Sequence, residues 1–591
     1  MQKLLLTTVF FILCCSLTAQ YYIRGEVKDE KNQPLQNVKI YLHSNRLLYF
    51  SGHTGGFGIL TTKFFDTLTF NADGYEPKSI SVKADTYQEV NLKMLYPNTN
   101  LQKQKLVSIS GRMDNIQKDN PGFGNESYSN LVENNFVKAD KFPSTEFSVR
   151  ADKASYTNIR RFINQKTTVP IDAVRAEEML NYFNLNYKEP VDDKTFNMES
   201  QLTVCPWNID HQLLFINVSA KKLNFDSVPP GNFVFLIDVS GSMDLPNRLP
   251  LLKTSFQSLV KNLRDKDTIS IVTYGGTVGI WLQPTSGAEK QKIIKAIEEL
   301  NAAGDTPGEA ALRAAYKLAQ NTFIQGGNNR IILATDGDFN VGQTTEKELE
   351  ELITKERQSG IYLTCLGVGM GNYKDSKIEA LAKRGNGNFA YLDDIKEGEK
   401  ILVKELTQTL YTVANDVTMS VLFNPAMVKE YRLIGYDNKK NMITDSSSVL
   451  EGGEIGSASG ITAVFEIVPG IDNIYEEDIS ERKNIADLKL NYSLPDDSTK
   501  RCMDYTCTDN YKEFESISPD LKFATALTMF SLLLRSSDYA SHTSWTDVER
   551  IAKESKNTND YLQKEFLSIV ENAKKIYGKI KKSKKKSKVK Y

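Results

Sequence analysis

The chain has 591 residues, of which 40% are hydrophobic and 25% charged, with a formal net charge of -1 at pH 7. This length allows several domains of roughly 100–200 residues, and the composition is that of folded globular protein. A nearly neutral chain has no overall positive field, so its charge gives no reason to expect a nucleic-acid partner.

The first residues predict export. Lys3 precedes the apolar run Leu4–Cys15. This run is shorter than the roughly 20 apolar residues of a membrane-spanning helix and is typical of a signal peptide, here over residues 1–19. We therefore expect the protein in the periplasm, the outer cell envelope or the medium. A lipoprotein is the minor alternative, because the residues before Cys14 and Cys15 fit lipidation poorly.

Residues 21–95 predict a small β-sandwich. Tyr22–Val27 and Val38–Leu42 alternate apolar and polar residues, and turn-forming residues separate such runs. The pattern of Gly, Pro, Phe and Asp-Gly-Tyr from Gly25 to Tyr75 resembles the carboxypeptidase regulatory-like domain, a transthyretin-like β-sandwich. The resemblance implies a structural or spacer role without peptidase activity.

A polar stretch follows at residues 96–142, and we expect it to be a mobile linker. Order is expected again over residues 143–230. There Asn158–Asn164 and Val174–Phe183 have helical apolar spacing, and Leu213–Val218 is a predicted strand.

Strands and helices alternate over residues 231–415. The apolar runs Phe233–Ile237, Thr268–Val272 and Arg330–Ala334 have the composition of buried parallel strands, and the last predicted helix is Ile395–Val413. The alternation predicts an α/β doubly wound, Rossmann-like sheet with helices on both faces.

Residues 416–578 are predicted to be rich in strands and to end in helices. The predicted elements are strands Thr418–Asn424, Glu430–Tyr436, Gly460–Val468 and Leu488–Tyr492, and helices Pro519–Leu534 and Glu565–Tyr577. Because these strands and Glu199–Val218 bracket the α/β domain, we expect both flanks to form one β-sandwich with the α/β domain inserted between its halves. Pairing of Leu213–Val218 with a later strand would support this arrangement.

The last residues, 579–591, form a basic tail made almost entirely of Lys and Ser. We expect a solvated, disordered end. Peripheral contact of this tail with anionic lipid or polysaccharide of the envelope is the alternative.

Polar side chains at the ends of two predicted strands suggest a metal site. The first strand ends in Asp238-x-Ser240-x-Ser242, and Asp336 follows the strand Arg330–Ala334. A third loop supplies Thr306. In open α/β sheets, ligands bind outside the carboxyl ends of the strands, and hard oxygen donors suit Mg²⁺, Mn²⁺ or Ca²⁺. A helix cap alone is the competing interpretation of the Asp-x-Ser-x-Ser segment.

These five residues match the metal-ion-dependent adhesion site of von Willebrand factor type A domains. The wider sequence, roughly residues 142–573, resembles the bacterial YfbK-like group of such proteins. The segments that carry this resemblance are Cys205–Asn208, Asn181–Phe183, Asn329–Gly342, Gly385–Asn388, Arg432–Tyr436 and Gly453–Gly456.

The resemblance implies cation-dependent protein binding. Ser240, Ser242 and Thr306 would coordinate Mg²⁺ (or Mn²⁺ or Ca²⁺) directly, and Asp238 and Asp336 would act through water. An open coordination position would then accept an Asp or Glu carboxylate of a protein partner.

Partner specificity is expected from the loops around the ion, which contain Asp244, Gly275 and Asp305. Asp305 stands where the family more often carries a small neutral residue, and we interpret it as an exposed loop carboxylate.

A metal-dependent hydrolase and a cell-envelope scaffold without ion-dependent binding are the alternative functions. A hydrolase needs a base or nucleophile beside its ion. The four histidines, His43, His53, His211 and His542, all lie outside residues 231–415, and no Gly-x-Ser-x-Gly motif is present. We therefore expect no enzymatic activity. A disulfide between Cys502 and Cys507 remains open, since exported proteins form such bonds and two free thiols fit the sequence equally well.

Overall fold

The computed structural model describes residues 21–93 and 126–588, except for residues 31, 37, 45–46, 53, 73–74, 85, 130, 276, 305–307, 338–345, 372, 437–451, 471–483 and 496. The predicted signal peptide and residues 96–125 of the predicted linker lie outside this description. The chain divides into two units, residues 1–121 and 122–591. None of the helices in the described ranges is long and apolar enough to cross a membrane.

Within residues 21–93, the first unit forms seven strands in two small sheets. Its sheets have the strand orders β4-β1-β7 and β3-β2-β5-β6. Side chains from both sheets, among them Ile23, Ile59, Ile40 and Phe70, fill one core. The strands are β1 (Tyr21–Asp29), β2 (Lys39–Leu42), β3 (Leu47–Phe50), β4 (Gly56–Thr61), β5 (Phe65–Asn71), β6 (Lys78–Lys83) and β7 (Tyr87–Leu92).

The second unit begins before the predicted end of the linker. Glu126 forms a bidentate ion pair with Arg161. Val137–Lys138 is a short strand, β8, which pairs with a strand near residue 430. The linker prediction is therefore wrong for residues 126–142. The polar composition of this segment gives no local sign of order, because its ion pair and strand pairing are made with distant residues of the second unit.

The two flanks of the α/β domain share their β-structure. Strands β9 (Ser144–Ser148), β10 (Phe196–Cys205) and β11 (Asn208–Ala220) precede the domain. Strand β11 pairs antiparallel with a strand that follows the domain, so that Leu214 faces Phe465. The strand pairing that we expected from the sequence is therefore present.

The strands after the α/β domain complete two five-stranded sheets. One has the order β10-β11-β21-β19-β8, and the other contains β20-β18-β22-β23 with β9 paired to β18. Side chains from both sheets, such as Phe465 and Val421, meet in one core. The later strands are β18 (Thr412–Phe423), β19 (Val428–Ile434), β20 (Gly453–Gly456), β21 (Gly460–Pro469), β22 (Asn484–Leu494) and β23 (Asp497–Thr508).

The α/β domain has the expected doubly wound sheet, with strand order β14-β13-β12-β15-β16-β17. All eight residues of β12 are buried. Phe235 faces a core shared with Phe256, whereas Leu236 faces a second core shared with Leu312. Helices therefore cover both faces of the sheet. The strands are β12 (Gly231–Asp238), β13 (Thr268–Gly275), β14 (Thr277–Ser286), β15 (Asn328–Thr335), β16 (Ile361–Val368) and β17 (Phe389–Leu392).

Helices precede, surround and follow this sheet. Two come before it, α1 (Ala154–Asn164) and α2 (Ala176–Tyr182). Those of the domain are α3 (Leu249–Lys261), α4 (Lys290–Glu298), α5 (Gly308–Asn321), α6 (Glu346–Arg357), α7 (Asp375–Arg384), α8 (Ile395–Glu399) and α9 (Leu406–Leu410), and the C-terminal ones are α10 (Pro519–Leu534), α11 (Trp545–Ser555) and α12 (Tyr561–Lys588).

Two element predictions within the domain are wrong. The helix expected over Ile395–Val413 is broken by a π-helical turn at Lys400–Lys404, and β18 begins at Thr412. Gly275, expected in a loop, is instead the last residue of β13, and the antiparallel partner strand β14 begins at Thr277. The bulges in this strand pairing weaken the alternation that would have revealed β14 in the sequence.

The C-terminal region differs from expectation at its end. Helix α10 spans the predicted residues, and α11 was not predicted. Helix α12 continues through Lys588, so the prediction of a disordered tail is wrong up to that residue. Residues 579–588 are mostly Lys, a good helix former, and contain neither Gly nor Pro, which allows this extension.

The disulfide left open in the sequence is not formed. Cys502 is exposed and Cys507 is buried, and both lie on β23. Five residues of extended chain separate their Cα atoms by about 17 Å, whereas a disulfide needs a separation of roughly 4–7 Å. The described cysteines Cys205, Cys365, Cys502 and Cys507 are all free.

A buried arginine on α1 links three parts of the second unit. The Arg160 guanidinium pairs with both oxygens of Asp393, at 2.6 and 2.7 Å, directly after β17. It also contacts Glu397 of α8 at 2.8 Å and Glu565 of α12 at 2.9 Å. The flanking helices are therefore fixed to the α/β domain by charge-assisted hydrogen bonds that are shielded from water.

We expect Arg160→Gln to destabilise the second unit by about 3–5 kcal/mol, because it leaves the buried Asp393 carboxylate without its arginine partner. Differential scanning calorimetry should show a thermal midpoint lowered by several degrees. Arg550→Gln is the matched control, since Arg550 forms an exposed pair with Glu554 on one helix turn and should contribute at most about 0.5 kcal/mol. Equal midpoints for both variants would show that the buried network is not stabilising.

Candidate metal centre

Two buried carboxylates lie at the carboxyl edge of the α/β sheet. Strands β12 and β15 are parallel neighbours, with Ile237 opposite Ala334. Asp238 is the last residue of β12, and Asp336 comes directly after β15. Both aspartates are fully buried, with 0% exposure. This is the edge at which ligands bind in open α/β sheets.

The Asp-x-Ser-x-Ser segment folds back on its own carboxylate. The backbone N–H of Ser240 donates to Asp238 Oδ1 at 2.9 Å, and the Thr335 hydroxyl donates to Oδ2 at 3.0 Å. A short 3₁₀ turn, Gly241–Asp244, then brings the Ser242 hydroxyl to 3.2 Å from that of Ser240. Two hydroxyls thus converge beside a fixed carboxylate.

A third loop is attached to this segment. The N–H of Gly241 donates to Gly304 O at 3.0 Å, and the N–H of Ala303 donates to Val239 O at 2.6 Å. Thr306 and Asp305 lie outside the described residues, and the described chain reaches Gly304, two positions before Thr306. The structure therefore brings together Asp238, Ser240, Ser242 and Asp336 of the predicted set.

An arginine that the sequence did not single out completes the site. Arg248, which precedes helix α3, is 5% exposed. Its Nη1 donates to Asp336 Oδ2 at 2.7 Å and to Ser242 O at 2.6 Å, and its Nη2 donates to Met370 O at 2.9 Å. The sequence offers only a basic residue six positions after Ser242 as a hint, because nothing local predicts contact with residues 88 and 122 positions away.

Electrostatics at this edge favour a cation. The pKa of Asp238 is raised to about 6, mainly by burial and also by the nearby Asp336 carboxylate, while the hydrogen bonds from Ser240 and Thr335 oppose the rise. Asp238 and Asp336 are thus two buried acidic side chains at one edge of the sheet, beside the Arg248 guanidinium. The donor set consists of the hard oxygens that Mg²⁺ and Ca²⁺ prefer.

The chemistry of the donors fits such an ion. In the described part of the chain, no group of three or more His, Cys, Asp and Glu side chains is arranged to hold a metal. A cation here would therefore depend on hydroxyl oxygens as well as carboxylates. Ser240 and Ser242 supply those hydroxyls.

The structure describes two of the three predicted partner-contact residues, Asp244 and Gly275. Asp244 is exposed, directly after the Ser242 turn. Gly275 ends β13, and a side chain there would lie 2.6 Å from the Val239 carbonyl group and 2.7 Å from Ala303 O. Gly275 therefore packs closely against the backbone of two site loops, and its role in partner contact stays a prediction.

Comparison with known proteins identifies the α/β domain as a von Willebrand factor type A domain, whose family model matches residues 232–407. Two further family models match, described as von Willebrand factor over residues 122–215 and as uncharacterized protein YfbK, C-terminal, over residues 408–576.

The uncharacterized protein YfbK of Escherichia coli (strain K12) is 37% identical over 472 residues, which cover 76% of this chain and 81% of that protein. The chain belongs to the YfbK family, and the family predicted from the sequence is confirmed.

More distant relatives share parts of the chain. Inter-alpha-trypsin inhibitor heavy chain H2 of Mesocricetus auratus is 28% identical over 221 residues, or 36% of this chain and 22% of that protein. A solved structure, von Willebrand factor type A from Catenulispora acidiphila, has 15% sequence identity and a TM-score of 0.37, covering 63% of this chain and 88% of that one.

We expect Gly275→Ala to destabilise the second unit by roughly 1–3 kcal/mol, because the added methyl group must displace backbone on both sides. Gly279→Ala on the paired strand β14 is the control, since a methyl group there meets nothing within 4 Å. Thermal denaturation of both variants is the measurement. A Gly275→Ala midpoint equal to that of Gly279→Ala would mean that the site loops are not tightly packed.

Proposed function

We propose that this protein is an exported, divalent-cation-dependent binding protein that captures an Asp or Glu carboxylate of a protein partner. The observation that carries the proposal is the pair of fully buried carboxylates, Asp238 and Asp336, beside the converging hydroxyls of Ser240 and Ser242. Membership of a family with a von Willebrand factor type A domain supports it.

The ion is Mg²⁺ in this proposal, with Mn²⁺ or Ca²⁺ as alternatives. Ser240, Ser242 and Thr306 would hold it through neutral hydroxyls, while Asp238 and Asp336 supply negative charge at the base of the site. Neutral direct ligands leave the ion able to attract an anionic group. A partner's carboxylate satisfies that requirement, whereas a neutral apolar partner surface does not.

Binding is favoured over hydrolysis by the chemistry around the ion. A metal-dependent hydrolase positions a general base or nucleophile beside its ion. The hydrogen bonds of the described site residues join aspartates, hydroxyls, backbone groups and Arg248. Among the described residues, these contacts join the site loops to one another, and the proposal assigns none of them the role of a base.

The remaining parts of the chain have supporting roles in this proposal. The N-terminal unit, with its transthyretin-like character, serves as a spacer, and residues 1–19 direct export. The Lys-rich end of α12 offers a peripheral contact with an anionic envelope surface.

We expect the purified protein to bind Mn²⁺ with one-to-one stoichiometry, measured by electron paramagnetic resonance, and to capture partners from the native cell envelope in the presence of Mg²⁺. EDTA, Asp238→Ala and Thr306→Ala should each reduce capture at least tenfold, because each removes the ion or one of its supports. Asp509→Ala, at an exposed position of the second unit, is the matched control.

Capture that survives EDTA would overturn the proposal and favour a scaffold whose contacts do not involve the ion. Circular dichroism of each variant is needed to show that its fold is retained. Turnover of an ester or phosphodiester by the Mg²⁺-loaded protein, lost in Asp238→Ala, would favour the hydrolase.

A further inference from the structure

We propose that Arg248 is an internal counter-ion of the cation site, which stabilises the site when it holds no ion and limits its affinity when an ion binds. This inference rests on the proposed function, since it concerns the same site. It assigns a role to a residue that contributes no oxygen ligand.

The first support is the isolation of the charges. Asp238 and Asp336 are 0% exposed, and Arg248 is 5% exposed. Two ionised carboxylates so far from water are unfavourable unless a cation compensates them. The 2.7 Å contact between Arg248 Nη1 and Asp336 Oδ2 supplies a cation that belongs to the chain itself.

The second support is the fixed position of the guanidinium. Its hydrogen bonds to Ser242 O and Met370 O attach it to the loops that follow β12 and β16. The backbone at Gly369, with a φ of +83°, passes so close that a side chain there would lie 2.6 Å from Arg248 Nε. The guanidinium is therefore hydrogen-bonded to the loops that follow β12, β15 and β16.

The position of Arg248 affects the affinity of the site for a divalent ion. An ion bound by the Ser240 and Ser242 hydroxyls would share the carboxylate pair with Arg248 at short range. Two like charges in a buried site repel each other strongly, because the surroundings screen them less than water does. Arg248 thus lowers the affinity of the site for the ion and stabilises the site when no ion is bound.

The experiment is a Mn²⁺ titration followed by electron paramagnetic resonance, with wild type, Arg248→Gln and Arg248→Lys. Arg248→Gln removes the charge and keeps a hydrogen-bond donor, so we expect its Kd for Mn²⁺ to fall at least fivefold. Arg248→Lys keeps the positive charge but loses the set of hydrogen bonds that the guanidinium makes to three loops. Its Kd for Mn²⁺ should stay within about twofold of wild type. Arg501→Gln, in an exposed pair with Asp497, is the control and should match wild type.

Thermal denaturation gives a second, independent readout. In EDTA, Arg248→Gln should unfold several degrees below wild type, and saturating Mg²⁺ should raise its midpoint by more than it raises that of wild type. If Arg248→Gln does not fold, Arg248→Lys still tests the proposal. A Kd for Mn²⁺ increased more than fivefold in Arg248→Lys would show that the hydrogen-bond geometry of the guanidinium matters and not its charge, and would overturn the counter-ion role.

The outcomes separate this inference from the proposed function. Unchanged or weaker Mn²⁺ binding by a folded Arg248→Gln, beside normal binding by wild type, overturns the counter-ion role alone. Absence of Mn²⁺ binding by wild type overturns the proposed function itself. Tighter binding by Arg248→Gln with wild-type-like binding by Arg248→Lys supports both.

Discussion

The parallel pairing of β12 with β15 is the constraint on which the candidate site depends. It sets the ends of two buried strands side by side, so that Thr335 donates to Asp238 across the strand boundary and Asp336 emerges next to it. Both strands are covered by helices on their two faces, which excludes water from the carboxylates. The same burial that stabilises the sheet thus places two acidic side chains, Asp238 and Asp336, in a site shielded from water.

The frame around the α/β domain depends on long-range contacts of two kinds. Strand β11 pairs with β21 across an insertion of more than 230 residues, and their side chains share one core. Arg160 then joins the flanking helices to the end of the α/β sheet through Asp393 and Glu397. Backbone pairing fixes the flanks to each other, while buried charge pairs fix them to the inserted domain.

The sequence predicted the elements whose local pattern is strong. The buried strands of the α/β domain are continuous apolar runs, and helix α10 begins with Ser518 as its cap and Pro519 in its first turn. Elements with weak patterns were missed. Strand β14 is interrupted by bulges, and residues 126–142 look like a linker because their bonds are made with distant residues such as Arg161.

The candidate site shows the same division between local and long-range information. The sequence by itself determined Asp238, Ser240, Ser242 and Asp336 as one group, because each follows the carboxyl end of a recognisable strand or lies within a few residues of one. Only the tertiary structure decided that Arg248 pairs with Asp336 and that Gly275 packs against the backbone at Val239 and Ala303. Those contacts join loops far apart in the chain, and spacing along a sequence carries no information about which distant groups a buried charge will meet.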